Sequence, residues 1–192
     1  MSETPTRRAY TGSCDCKATR FIVYLTFPAS PPDPHNRTAG KQRLYRCNCT
    51  LCHKAAIMHI RLPNPGQDFH LLSPLDPLNE LGDYTRNEKR IHFLFCKTCG
   101  VRCFSFAGEG EVEEVEGENG EKMKVWHPRK DRVEGPDEGS LYLSVNAHSI
   151  DAGQEGFDMR EWTEKKWLWY LDFLDDSSRA ANADHPLPGG CY

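Results

Sequence analysis

The stretch Tyr45-Arg46-Cys47-Asn48-Cys49-Thr50-Leu51-Cys52-His53-Lys54 places three thiols within six residues, in the order Cys-x-Cys-x-x-Cys, between basic side chains. This is a tetrahedral metal site one ligand short of what zinc prefers. Thiols at i, i+2 and i+5 converge on one ion only if the backbone turns sharply, and Asn48 is expected to take a left-handed conformation there. The fourth position decides the use of the site. Filled by the protein, it makes a structural staple; left open, it serves chemistry. His53, His59, His92 and Cys103 are the candidates to fill it, and spacing leaves both outcomes open.

The rest of the chain sets the context. Its 192 residues suffice for one domain with a sizeable core. A charged fraction of 27% with mixed signs is that of a globular protein. The net charge of -4 argues against a nucleic-acid partner, which normally meets a basic footprint. Residues 1–10 hold no apolar stretch of signal-peptide length, and nothing approaches the roughly 20 apolar residues of a membrane span. The expectation is a cytoplasmic protein in a reducing environment. There, nine cysteines are poor material for disulfides. Eight of them lie in tight groups, Cys14/Cys16, Cys47/Cys49/Cys52 and Cys96/Cys99/Cys103, with Cys191 alone. Close pairs favour sharing one ion over bridging distant strands.

Hydrophobic patterning predicts a mainly β fold of short strands and irregular loops. Residues 1–9 read as a flexible arm. Thr11 to Cys16 reads as a turn in which Gly12 supplies conformational freedom. Strands are expected at Ala18–Phe27, Ala55–Leu62, Phe69–Leu72, Ile91–Phe95, Val101–Phe106 and Leu141–Val145, with a hairpin arm at Leu81–Thr85. Pro28, Pro31, Pro32 and Pro34 make 28–40 a surface loop. The Glu- and Gly-rich run inside 108–139 buries little and repels itself, so it reads as a mobile insertion, with a possible strand at Val125 and Trp126. Trp167, Tyr170, Leu171 and Leu174 at helical spacing predict a short C-terminal helix over Glu161–Leu174, with Trp162, Trp167 and Trp169 as packing residues. The domain proper is thus 10–174, followed by a polar tail, 175–192.

Two distant pairs, Cys14/Cys16 and Cys96/Cys99, each beside a Gly-containing turn, suit a closed four-thiolate structural zinc. Gly100 is expected at positive φ. Cys103 can be a spare ligand for the second ion or a buried thiol.

With these clusters in place, the sequence resembles the glutathione-dependent formaldehyde-activating enzyme family, which also includes centromere protein V. The resembling residues are Gly12-Ser13-Cys14-Asp15-Cys16, Cys47-Asn48-Cys49-Thr50-Leu51-Cys52-His53-Lys54, Phe95-Cys96-Lys97-Thr98-Cys99-Gly100 and Leu141-Tyr142-Leu143-Ser144-Val145-Asn146. The resemblance implies a tent-like arrangement of antiparallel sheets around zinc. It also implies two ions per chain, structural at Cys14, Cys16, Cys96 and Cys99, and catalytic at Cys47, Cys49 and Cys52. Cys103, the proline loop and the acidic insertion depart from the family pattern.

Three thiolates give a zinc site a formal charge of -1, which suits a soft substrate thiol better than hydroxide generation. Glutathione is the co-substrate the resemblance points to, and the reaction class is a carbon–sulfur lyase that forms or cleaves an S-hydroxymethyl type adduct. His53 and His59 are candidates to move the proton. Arg46, Lys54 and Arg61 are candidates to hold glutathione's carboxylates. The rival reading is a non-catalytic zinc-stabilised scaffold for a protein or nucleic-acid partner, and homo-oligomerisation stays open. Redox sensing through Cys103 or Cys191 has only the spare thiols behind it.

Overall fold

A computed structural model describes residues 4–31, 41–86, 90–117, 120–132, 141–174, 182–190 and 192. Most of the proline loop, the end of the acidic segment, residues 175–181 of the tail and Cys191 lie outside the described residues.

The fold is mainly β, built from two sheets. The smaller contains β1 (Thr6–Ser13), β2 (Arg20–Phe27), β5 (Phe69–Ser73), β9 (Gly110–Glu116) and β10 (Lys122–Pro128), in the order β1-β2-β5-β10-β9. The larger contains β3 (Arg43–Cys47), β4 (Met58–Arg61), β6 (Gly82–Arg86), β7 (Ile91–Phe95), β8 (Phe104–Ala107), β11 (Tyr142–Asn146), β12 (Leu168–Leu171) and β13 (Asn182–Ala183). Its order is β13-β12-β3-β4-β11-β8-β7-β6, antiparallel except where β12 runs parallel to β3. Short helices punctuate the strands: α1 (Thr50–Lys54), α2 (Pro65–Asp68), α3 (Pro77–Glu80) and α4 (Met159–Glu164). No described helix is long and apolar enough to cross a membrane.

The core fills the space between the sheets. Alternation along β2 buries Phe21, Val23, Leu25 and Phe27. Opposite them lie Leu44, Met58, Ile60, Leu143, Val145, Phe104 and Phe106. Ring contacts join the layers: Phe69 meets Phe104 at 4.9 Å and Trp126 meets Phe106 edge-on at 5.1 Å.

Four local expectations need correction. The arm is ordered from Thr6 onward, because β1 pairs with β2 along its whole length and Arg7 reaches Asp68 at 2.8 Å. Gly12 does not turn the chain; it lies within β1, where a Cβ would collide with the Phe21 ring, so a side chain is excluded there. The expected strand Ala55–Leu62 begins only at Met58, since α1 and a left-handed Ala56 precede it. The predicted C-terminal helix stops at Glu164. Lys166, at φ 54°, reverses the chain, and Leu168–Leu171 becomes a strand buried on both faces. A run apolar on both faces fits helix and strand spacing equally, so parallel pairing with β3 decided it. Trp162, Trp167 and Trp169 are all buried.

The acidic segment is likewise part of the fold. β9 and β10 form a hairpin in which backbone pairing, rather than burial of β9, holds the glutamates in place. Lys122 lies 3.4 Å from Glu114, and Lys130 lies 2.5 Å from Glu113, which offsets like-charge repulsion. Trp126 anchors the hairpin at 5% exposure. Trp126→Ala is expected to destabilise the protein by about 3–5 kcal/mol, read by urea denaturation. A loss below about 1 kcal/mol would mean that the hairpin is a dispensable insertion.

Candidate metal centres

The turn after β1 and the turn after β7 bring four thiols together. In the first, Cys14 accepts from Thr19 N at 3.2 Å through its sulfur, while Lys17 N donates to Cys14 O at 2.9 Å. In the second, Gly100 at φ +75° lets its N–H donate to Cys96 O at 2.8 Å, as its sequence position predicts. The Cys14, Cys16, Cys96 and Cys99 sulfurs all lie within 4.8 Å of one another. Cys14 to Cys16 is 3.6 Å and Cys16 to Cys96 is 3.5 Å. Tetrahedral zinc with Zn–S bonds of about 2.3 Å sets its sulfurs about 3.8 Å apart, so this donor set fits zinc. The cluster ties the β1–β2 turn of one sheet to the end of β7 in the other.

The second cluster, Cys47, Cys49 and Cys52, also lies within 4.8 Å throughout. β3 ends at Cys47, and α1 begins directly after Cys49. The Cys49 sulfur caps this helix by accepting from Cys52 N at 3.5 Å. The three thiols act on one another. Hydrogen bonds from Cys47 and Cys52 pull Cys49 down to about 2, whereas hydrogen bonding to Cys49 pushes Cys47 up to about 12. Contact with both neighbours raises Cys52 as well. One ionised sulfur with two thiol donors is the arrangement a divalent cation can replace by displacing protons.

Asn48 achieves the sharp turn without a left-handed backbone; among the described residues only Lys17, Ala56 and Lys166 are non-glycine residues with positive φ. Its amide is buried and ties in the C-terminal segment. Nδ2 donates to Asp172 Oδ1 at 2.7 Å and to Pro188 O at 3.2 Å, and Oδ1 accepts from Phe173 N at 2.7 Å.

The candidate fourth ligands separate clearly. His53 Nδ1–H donates to Gly189 O at 2.8 Å, on the tail side of α1. His92 pairs with Asp83 at 2.7 Å on the β6–β7 hairpin. Cys103 is 2% exposed, and its thiol neighbours are Cys14, Cys96 and Cys99, so it lies by the four-thiol cluster; burial pushes it up to about 12. Only His59 reaches the second cluster. Its Nε2 is 3.2 Å from Cys52 Sγ and its Nδ1 is 2.8 Å from Ser144 Oγ. Burial lowers His59 to about 4, so the ring is neutral near pH 7. It does not belong to the mutually close set of sulfurs.

Strand register shows what surrounds this centre. Tyr45 pairs with His59, and His59 with Asn146. Arg43 pairs with Arg61, Arg61 with Ser144, and Ser144 with Ser105. Cross-strand partners share a face, so the outer face of the larger sheet is a buried polar layer beside the thiols. Tyr45 stacks on His59 at 4.5 Å, and the Arg61 guanidinium lies 3.6 Å from the centre of the Tyr142 ring. Arg46, next to Tyr45, alternates to the opposite face, where its charge acts on His148 and Tyr170. Lys54 lines an open cleft of about 470 Å³ with Thr50, Leu51, Tyr84 and Arg102. Of the three cations proposed to hold carboxylates, Lys54 is thus the one on the cleft. Ser144, Tyr45 and Arg102 carry no sequence signal of their own; only strand register or the cleft reveals them.

No family model matches the chain, and no curated protein matches it. A solved structure of a Rhodobacter sphaeroides protein is similar over 79% of this chain and 93% of its own, at 17% identity and a TM-score of 0.40. That degree of likeness says nothing about activity.

Proposed function

We propose that the chain is a zinc-dependent carbon–sulfur lyase that forms or cleaves glutathione adducts of an aldehyde, with the substrate sulfur completing the Cys47, Cys49 and Cys52 centre. The observation that supports this reading is the contrast between the clusters. Four thiols converge in one and three in the other, while Cys103, His53 and His92 are held elsewhere. The sequence resemblance to the formaldehyde-activating family points the same way.

Zinc bound by three thiolates supplies a soft Lewis acid that favours the ionised form of a thiol. Cys47, Cys49 and Cys52 would hold it. His59 fixes the orientation of the Cys52 sulfur through Nε2 and is itself fixed by Ser144. Because it is neutral, it adds no charge to the site. In the forward direction the substrate sulfur forms a bond to the aldehyde carbon, and the carbonyl electron pair moves to oxygen, which takes a proton. The reverse step returns that proton and breaks the carbon–sulfur bond. His59 and Ser144 are within hydrogen-bond reach of the cluster or of each other to carry the proton.

X-ray absorption on the zinc-loaded protein tests the reading. Adding glutathione is expected to raise the sulfur count by about half an atom per zinc, averaged over a closed and an open site. A fully sulfur-ligated shell that glutathione leaves unchanged would instead support the non-catalytic scaffold.

A further inference from the structure

Arg102 belongs to neither cysteine cluster, yet it stands between them. It follows Cys99 and Gly100 on the chain leaving the four-thiol turn, and its guanidinium lies 5.2 Å from the centre of the Phe95 ring. Its Nε is buried with no hydrogen-bond partner. The side chain borders two spaces. Outside is the cleft it shares with Thr50, Leu51, Lys54 and Tyr84; inside is a narrow pocket of about 10 Å³ reached by Ser105, Ser144 and Asn146. Ser105 is 4% exposed, and its Oγ has no partner either.

These observations share a direction. Among the described residues neither space is lined by a carboxylate, whereas both meet a guanidinium, and the outer one adds an ammonium. An arginine Nε and a serine hydroxyl buried without partners are costly unless a ligand or water satisfies them. A planar fork of donors beside a point charge matches a carboxylate. The cleft is of small-molecule size. It begins at Thr50 and Leu51, the two residues between Cys49 and Cys52 in sequence, so it opens beside the segment that carries the three thiols.

We propose that Arg102, with Lys54, forms the carboxylate-binding end of the substrate cleft, so that the site selects thiols bearing an acidic arm over neutral thiols of the same size. This deepens the function proposed above and rests on its reading that a substrate sulfur completes the Cys47, Cys49 and Cys52 centre. Arg102 is a recognition residue in this scheme. The turn that carries the four-thiol cluster sets its position, which gives that distant cluster a part in substrate choice.

Calorimetry on the zinc-loaded full chain reads this without turnover, using S-methylglutathione, whose capped sulfur cannot ionise, and its diethyl ester. The acid is expected to bind about ten- to a hundredfold more tightly than the ester. Arg102→Gln should bring the acid down to the level of the ester and leave the ester unchanged, with Arg102→Lys in between. Lys54→Gln, at an exposed helix end, gives a second variant with little risk to folding and should weaken the acid several-fold. Equal binding of acid and ester to the unaltered protein, or equal weakening of both by Arg102→Gln, overturns the proposal. Acid-selective binding without any glutathione–aldehyde turnover would sink the lyase reading and leave this site standing. Turnover that accepts the ester of glutathione as readily as glutathione does the reverse.

Discussion

Cys49→Ser is expected to abolish turnover of glutathione with an aldehyde and to lower bound zinc from two ions per chain to one, while the chain stays folded. The physical basis is that Cys49 has two separable jobs. As a cap on α1 its side chain accepts from Cys52 N, and serine is a good helix cap. As a soft anionic donor among three thiols, it has no equivalent in a hydroxyl that stays protonated. The substitution therefore keeps the local backbone and removes a ligand. Its effect should exceed the 10- to 100-fold loss typical of changing a partner of a metal ligand. Circular dichroism, metal analysis and a turnover assay separate the two jobs. Undiminished turnover would remove Cys49 from catalysis.

The largest effect on stability is expected at the other centre. Cys96 is 3% exposed at the end of β7, and it closes a cluster with Cys14 and Cys16 from the turn that opens β2. A structural zinc site can contribute about 10–16 kcal/mol of apparent folding free energy. That is comparable to the total stability of an ordinary domain, about 5–15 kcal/mol. Cys96→Ser should therefore yield an unfolded or insoluble chain, or one whose melting temperature falls by more than about 10 °C. Cys103→Ala supplies the contrast, since this buried thiol lies beside the cluster and outside its mutually close set. It should retain both zinc ions and lose about 1–3 kcal/mol. Should the two variants melt within a few degrees of each other, the four-thiol cluster does not staple the sheets through a metal.

The aromatic and charged segments show where local reading fails. Leu168–Leu171 is buried on both faces, so its sequence carries no period to distinguish strand from helix. The glutamates of β9 were legible only as solvated charge; their order comes from a partner strand whose Trp126 reaches the core. Thr6–Ala9 likewise carries no strong β signal and is ordered by pairing with β2.

The sequence by itself determined the local thiol groups, Cys14/Cys16, Cys47/Cys49/Cys52 and Cys96/Cys99, and the mainly β scaffold that holds them. Short-range spacing is sufficient for that, because Cys-x-Cys and Cys-x-x-Cys turns are local. Only the tertiary structure decided what surrounds the three-thiol centre. His59 reaches Cys52 because the chain turns back after α1, where Ile57 N donates to Cys52 O, Ser144 orients His59 because β11 pairs with β4, and Arg102 enters the cleft from a turn after β7. The Ser144 and Arg102 contacts join residues far apart in the chain, and the His59 contact depends on where α1 ends and β4 begins; no cysteine spacing encodes any of them.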